Sequence, residues 1–129
     1  MNIPRVVLDT NVIVSALLSP LGNPAKIYRM FLTEMLVLIY CSDILEEYRD
    51  VLCRPQLRIP LEEVKVVFSV IEHYGERVEP LISTKVMIDE SDRVFYDVAK
   101  TARAYLITGN MRHYPRETFI LTPKEFLEM

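Results

Sequence analysis

Val6-Val7-Leu8-Asp9-Thr10-Asn11 decides how this chain is read: an apolar, β-branched run reaches a carboxylate within ten residues of the N-terminus. Branched side chains favour strands, so Asp9 is predicted at a strand's carboxyl end. In open α/β sheets ligands bind beyond that edge, where loops and helix N-termini leave a crevice. An acid placed there points to cation chemistry. The same residue also suits a helix start, since Asp and Asn both satisfy free N–H groups at an N-cap. Both roles stay open on this stretch alone, and two further acidic positions bear on the choice.

Beyond this stretch, strand-like and helix-like runs alternate along the chain. Arg5 to Leu8 leads into a helix from Asn11 to Leu18, and Asn23-Pro24 reads as an N-cap with proline at the first position of a helix over Ala25 to Thr33. Leu36 to Tyr40 is a short continuous apolar run, as in a strand buried on both faces. Ser42 caps the next helix, which runs to about Cys53, and Pro55 and Pro60 break the chain after it. Leu61, Val64, Phe68 and Ile71 recur at helical spacing up to Gly75, a C-cap. Arg77 to Ile88 shows no clear pattern. Asp89 to Ala104 reads as a helix, and Tyr105 to Thr108 and Phe119 to Leu121 as strands. Thr122-Pro123-Lys124-Glu125 combines a capping box with proline at N1, so the tail is predicted helical. The alternation is that of a mostly parallel sheet of four to five strands with helices on both faces. Right-handed crossovers would put the carboxyl ends of the strands, and so Asp9 and Asn110, on one edge.

Composition sets the bounds. With 129 residues, half of them hydrophobic, the chain suits one domain, residues 1–129, with a real core. No membrane span or signal peptide is indicated, which makes the cytoplasm the expected compartment. Cys41 and Cys53 form no CxxC pair and read as free thiols rather than zinc ligands. A net charge of −3 argues against binding nucleic acid through a bulk positive field, but leaves a metal-bridged phosphate open. With three glycines there is no phosphate-cradling loop.

Helical geometry selects among neighbouring acids, each residue advancing about 100° around the axis. Between Ser42 and Cys53 the apolar stripe is Ile44, Leu45, Tyr48, Val51 and Leu52. Glu47 falls at its flank, about 100° from the centre, while Asp43, Glu46 and Asp50 fall about 140 to 160° away and face solvent. On the later helix Asp92 lies about 85° from the centre of Val94, Phe95, Val98, Ala99 and Ala102, and Asp97 about 135°. Asp92 is therefore the candidate for the crevice, and Asp89 the cap. Solvated surface acids at a stripe's edge remain the plain alternative.

The pieces VVLDTNVIVSALL, SDILEEYRDVL and DESDRVFYDVAKTARAYLITGN, taken in this order across nearly the whole chain, resemble the PIN domain family. The nearest flavour is that of small bacterial and archaeal PIN proteins described as toxin components of toxin–antitoxin systems. The resemblance implies a three-layer, Rossmann-like α/β fold and metal-dependent ribonuclease activity carried by Asp9, Glu47 and Asp92. It also implies single-stranded RNA as substrate, a small antitoxin protein as partner and a homodimer. Where the family usually ends its strand-loop motif on a fourth acid, this chain has Asn110. An amide oxygen can still bind Mg²⁺ or orient water, but without charge, so the expectation is a weakened second metal position.

The chemistry calls for these residue types. Hard ions such as Mg²⁺ and Mn²⁺ take oxygen ligands from a few carboxylates and substrate phosphate. They support phosphodiester hydrolysis by activating water and stabilising charge on the phosphate. On this reading Asp9 is the central ligand, Asp92 and Glu47 complete the site, and Asn110 assists. Thr10, Asn11, Ser42 and Thr108 hold ligands or waters, with plain capping open for Thr10 and Ser42. Arg112, His113, Tyr114 and Arg116 offer charge and rings to single-stranded RNA, or form an ordinary solvated loop. Arg54 and Arg58 are a second basic candidate, and Arg93 can pair with an acid. Tyr28, Met30, Phe68 and Tyr74 read as core or interface. Two other classes compete: a catalytically weak PIN-like module that binds RNA or protein, and a receiver domain. For the receiver the chain lacks a clear phosphoacceptor Asp on a central strand and a Lys on a late one.

Overall fold

The computed structural model describes residues 3–129, so Met1 and Asn2 of the expected domain lie outside the described residues. Five strands, β1 (Arg5–Leu8), β2 (Val37–Tyr40), β3 (Glu76–Arg77), β4 (Tyr105–Ile107) and β5 (Ile120–Leu121), form one sheet in the order β3-β2-β1-β4-β5. Every strand pair is parallel. The chain winds from β1 outward to β3, then returns across the sheet to place β4 on the other side of β1. Right-handed crossovers taken in opposite directions put helices on opposite faces, giving a three-layer α/β fold. The reversal also leaves a crevice between the carboxyl ends of β1 and β4. Leu8 pairs with Ile107, so Asp9 and Thr108 leave the sheet side by side.

The helices are α1 (Thr10–Leu18), α2 (Asn23–Leu32), α3 (Ser42–Leu52), α4 (Leu61–Tyr74), α5 (Arg93–Ala102) and the short α6 (Pro123–Leu127). Val6, Val7, Leu8, Leu38, Ile39, Leu106 and Ile107 of the three inner strands are almost fully buried, as strands covered on both faces require. α5 packs across β1, β2 and β4, and α3 touches both α1 and α5. At that junction the buried Tyr48 donates its hydroxyl hydrogen bond to the Leu8 carbonyl, and its ring meets Phe95 at 6.3 Å between centroids. No helix among the described residues is long and apolar enough to cross a membrane. Cys41 and Cys53 are free thiols, one buried and one exposed.

Several boundaries differ from the sequence expectation. α2 begins at Asn23 with Gly22 as its N-cap, and α3 begins at Ser42 with Cys41 as its N-cap, so neither Asn23 nor Ser42 caps through its side chain. The Ser42 hydroxyl instead accepts from Arg77 Nη2 at 2.5 Å. The helix expected over Asp89 to Ala104 is shorter: a 3-10 turn, Glu90–Asp92, precedes α5, and Arg103 ends it in a left-handed conformation at φ 54°. Asp89 does cap, accepting from the Ser91 backbone N–H at 3.0 Å. The capping box at Thr122 forms on both sides, at 3.1 Å and 2.9 Å.

The patternless stretch after Arg77 is an irregular strap fixed to one face of α5. Leu81 N donates to Thr101 Oγ1 at 2.9 Å, Ser83 N to Asp97 Oδ2 at 3.2 Å, and Arg93 reaches the Ser83 and Lys85 carbonyls at 2.9 Å and 2.7 Å. Arg93, Asp97 and Thr101 are four residues apart, one polar stripe along a helix. Asp97, passed over in favour of Asp92 because it lies farther from the apolar stripe, is consequently 2% exposed. The helical spacing placed it correctly on the outer face of α5, and the strap then covered that face.

Gly75 ends α4 in extended backbone at φ −78°, so its role is space rather than left-handed freedom. A Cβ there would lie 2.5 Å from the Ile71 carbonyl oxygen and 3.0 Å from that of Leu38. Neither backbone atom can yield cheaply, so Gly75→Ala should destabilise the fold by about 1–3 kcal/mol, read as a lower denaturant midpoint at unchanged slope.

Candidate active site

Asp9 holds the N-cap position of α1 with extended backbone, yet its side chain makes no cap bond. It turns into the crevice, where Oδ2 accepts from Thr108 Oγ1 at 2.7 Å and from Tyr114 Oη at 3.0 Å. Asp9 is 7% exposed. Thr108 is held in turn: its Oγ1 accepts from Asn110 N at 3.0 Å, while Gly109 N donates to Asn11 Oδ1 at 3.2 Å. These bonds clamp the loop after β4 onto the first turn of α1. Of the two roles open to Asp9 in the sequence, the backbone takes the cap and the carboxylate takes the cleft.

The cleft, about 370 Å³, is lined by Asp9, Thr10, Asn11, Asp92, Asn110 and His113, with Val14, Ser15 and Val51. A second cavity of about 440 Å³ lies under the strap, with Ser42, Asp43, Glu79, Arg93 and Asp97 in its walls. The first is lined by two of the three acids singled out in the sequence, Asp9 and Asp92, while Glu47 is not part of its wall. Ser42 belongs to the second and does not support Asp9. Glu47 is half-buried on the flank of α3, where its Oε2 accepts from Thr10 Oγ1. Asp43, Glu46 and Asp50 are exposed, as their helical positions require.

Charge is poorly balanced at this edge. Asp92 Oδ2 is buried without a hydrogen-bond partner, and only His113 Nδ1 approaches it, at 3.5 Å. Burial, then the Asp9 and Asp89 carboxylates, push the Asp92 carboxyl up to about 6. Burial and the charge of Asp9 also hold the Tyr114 hydroxyl protonated far above the ordinary tyrosine range, which keeps it a donor. Among the described residues no three Asp, Glu, His or Cys side chains already converge as a metal cluster, Glu47 being turned onto Thr10. An orphaned carboxylate oxygen beside a second carboxylate is nevertheless the hard-oxygen donor set that a divalent cation satisfies. In that sense the residues fit such an ion.

Sequence reasoning misplaced Tyr114 as well as Ser42. Tyr114, expected as a ring for RNA, is 5% exposed with its hydroxyl on Asp9, so its face is closed to bases. The signal was Pro115: a residue before proline is held extended, and Tyr114 at φ −116°, ψ 154° turns its ring back under the loop. Arg112 and Arg116 are exposed, and His113 is half-exposed, so these three remain open to a substrate. Arg93 is occupied by Glu90, at 2.7 Å, and by the strap. Arg58 takes a left-handed φ of 53° in the turn after α3. Phe68 is core and carries Arg49 over its ring at 4.7 Å, whereas Tyr74 is exposed.

Known proteins share this sequence pattern. The chain is 30% identical to the uncharacterized protein MJ1680 of Methanocaldococcus jannaschii, over 96% of this chain and 90% of the relative. The family model described as PIN domain matches residues 5–112, from the first residue of β1 through Asn110 and into the turn that carries His113. PIN domains form a nuclease superfamily that binds RNA and generally uses divalent metals. With the strand order, the acid-lined crevice and the family match in agreement, this chain belongs to the PIN domain family.

Proposed function

We propose that this chain is a Mg²⁺- or Mn²⁺-dependent endoribonuclease that hydrolyses phosphodiester bonds of single-stranded RNA, acting as a single domain. The observation that supports it most is the buried Asp92 oxygen without a partner in the same cleft as Asp9. Two acids crowded this way are mutually unfavourable, and a bound cation would relieve them. Such an ion would polarise the scissile phosphate and lower the pKa of its water. Asp9 presents one oxygen to the cleft because Thr108 and Tyr114 hold the other. Asp92 supplies the second ligand, and Glu47 joins them when released by Thr10. Arg112 and Arg116 are exposed on the loop after β4 and would bear on the RNA backbone. The reading extends to a toxin role with a small antitoxin as its partner, which co-expression with a neighbouring short reading frame would check.

Cleavage of a labelled single-stranded RNA in Mn²⁺ should fall at least about a hundredfold in Asp9→Asn, an effect of the size that loss of one group stabilising transition-state charge brings. Equal cleavage by both proteins would sink the assignment. In a chelator at pH 7, Asp92→Asn should be the more stable protein, by about 1 kcal/mol or a few degrees in Tm, because it removes an unbalanced buried charge. Added Mn²⁺ should raise the Tm of the unsubstituted chain and leave that of Asp92→Asn almost unmoved. A Tm for Asp92→Asn below that of the unsubstituted chain in chelator would contradict the charge crowding.

A further inference from the structure

Asn110, His113 and Asp92 form a chain of side chains along one wall of the cleft. Asn110 Nδ2 lies 2.9 Å from His113 Nε2, and His113 Nδ1 lies 3.5 Å from the orphaned Asp92 Oδ2. The backbone enforces the first contact. A 3-10 turn over Met111–His113 is closed by His113 N donating to the Asn110 carbonyl at 3.1 Å, and residues three apart eclipse in that geometry. An amide nitrogen can only donate, so the ring nitrogen facing it must carry the lone pair. A neutral imidazole so held has its proton on Nδ1, directed at Asp92. The ring is half-exposed, and its 3.5 Å separation from Asp92 is about half an ångström longer than a hydrogen bond.

We propose that Asn110 is a positioning residue and not a weakened metal ligand: it fixes the Nδ1–H form of His113, and His113 orients the Asp92 carboxylate. The proposal rests on the reading of Asp92 as an active-site acid. It accounts for a neutral residue at this place. A carboxylate at position 110 could only accept, so Nε2 would have to carry a proton, and the neutral ring would then present a lone pair to Asp92 in place of the Nδ1–H that the amide selects. Outer hydrogen-bond partners of this kind commonly carry ten- to hundredfold effects on metal affinity or activity.

The test has two arms on the full chain. Long-range proton–nitrogen NMR at pH 8, with His73 as the other histidine, should find His113 protonated on Nδ1 and should show Nε2 gaining a proton in Asn110→Asp. A His113 protonated on Nε2 in the unsubstituted chain overturns the proposal. In Mn²⁺-supported RNA cleavage, Asn110→Ala and His113→Ala should each lose about tenfold, and the double variant no more than either. Losses that multiply, or an Asn110→Asp that cleaves faster than the unsubstituted chain, also overturn it. The two readings fail separately. Cleavage abolished by Asp9→Asn together with an Nε2–H ring leaves the nuclease and removes this chain of contacts; an Nδ1–H ring in a protein without nuclease activity does the reverse.

Discussion

The hydrogen bond from Thr108 to Asp9 joins the ends of two strands that are neighbours in the sheet and 99 residues apart in sequence. It forms at the point where the chain reverses its direction of winding, the place in an open parallel sheet where a crevice is unavoidable. The geometry of the cleft depends on that bond. With one carboxylate oxygen committed to Thr108 and Tyr114, Asp9 is buried yet oriented, and the loop carrying Asn110 and His113 is pinned above it.

The strand ends explain how much of the fold can be read from the chain. Val6-Val7-Leu8 and Leu38-Ile39-Tyr40 are continuous apolar runs because both sheet faces are covered, and such runs are legible without any structure. Glu76–Arg77 is a two-residue edge strand with both side chains exposed, and nothing in its composition marks it. Its pairing with Ile39 and Tyr40 comes from the chain's path after α4 rather than from a local preference. Likewise Asn23 and Ser42 have cap chemistry, but each helix starts one residue earlier than a side-chain cap would need.

For the site, helical spacing separates Glu47 from Glu46 because the flank of an apolar stripe is a geometric property of the helix itself, whereas Asp92 lies in the 3-10 turn ahead of α5, outside the helix on whose wheel it is counted. The same spacing puts Asp97 on the outward face of α5, but a wheel does not say what covers that face. Here residues 81–85 lie across that face, held by backbone donors and acceptors that no periodicity encodes. The consequence is a second buried acid with an unpartnered oxygen, Asp97 Oδ1, on the same helix that follows Asp92. Arg93 stands between the two and is tied to Glu90, Ser83 and Lys85, which keeps a positive charge on the strap side and away from the cleft.

That separation of charge bears on position 110. On the cleft side, Asp9 and Asp92 are among the lining residues and no Lys or Arg is, while Arg112 and Arg116 are exposed on the loop that carries His113. A further acid on the loop after β4 would deepen the negative potential of the cleft, which favours a cation but raises the cost of the empty site. An amide contributes no charge and offers what a carboxylate lacks, an N–H that can select one form of a neighbouring ring. The 3-10 turn sets that ring three residues on, where the eclipsed geometry brings Nε2 to the amide and leaves Nδ1 to Asp92. Neutrality at Asn110 thus trades strength of attraction for control of geometry, and the trade is open to this chain because His113 comes at that interval.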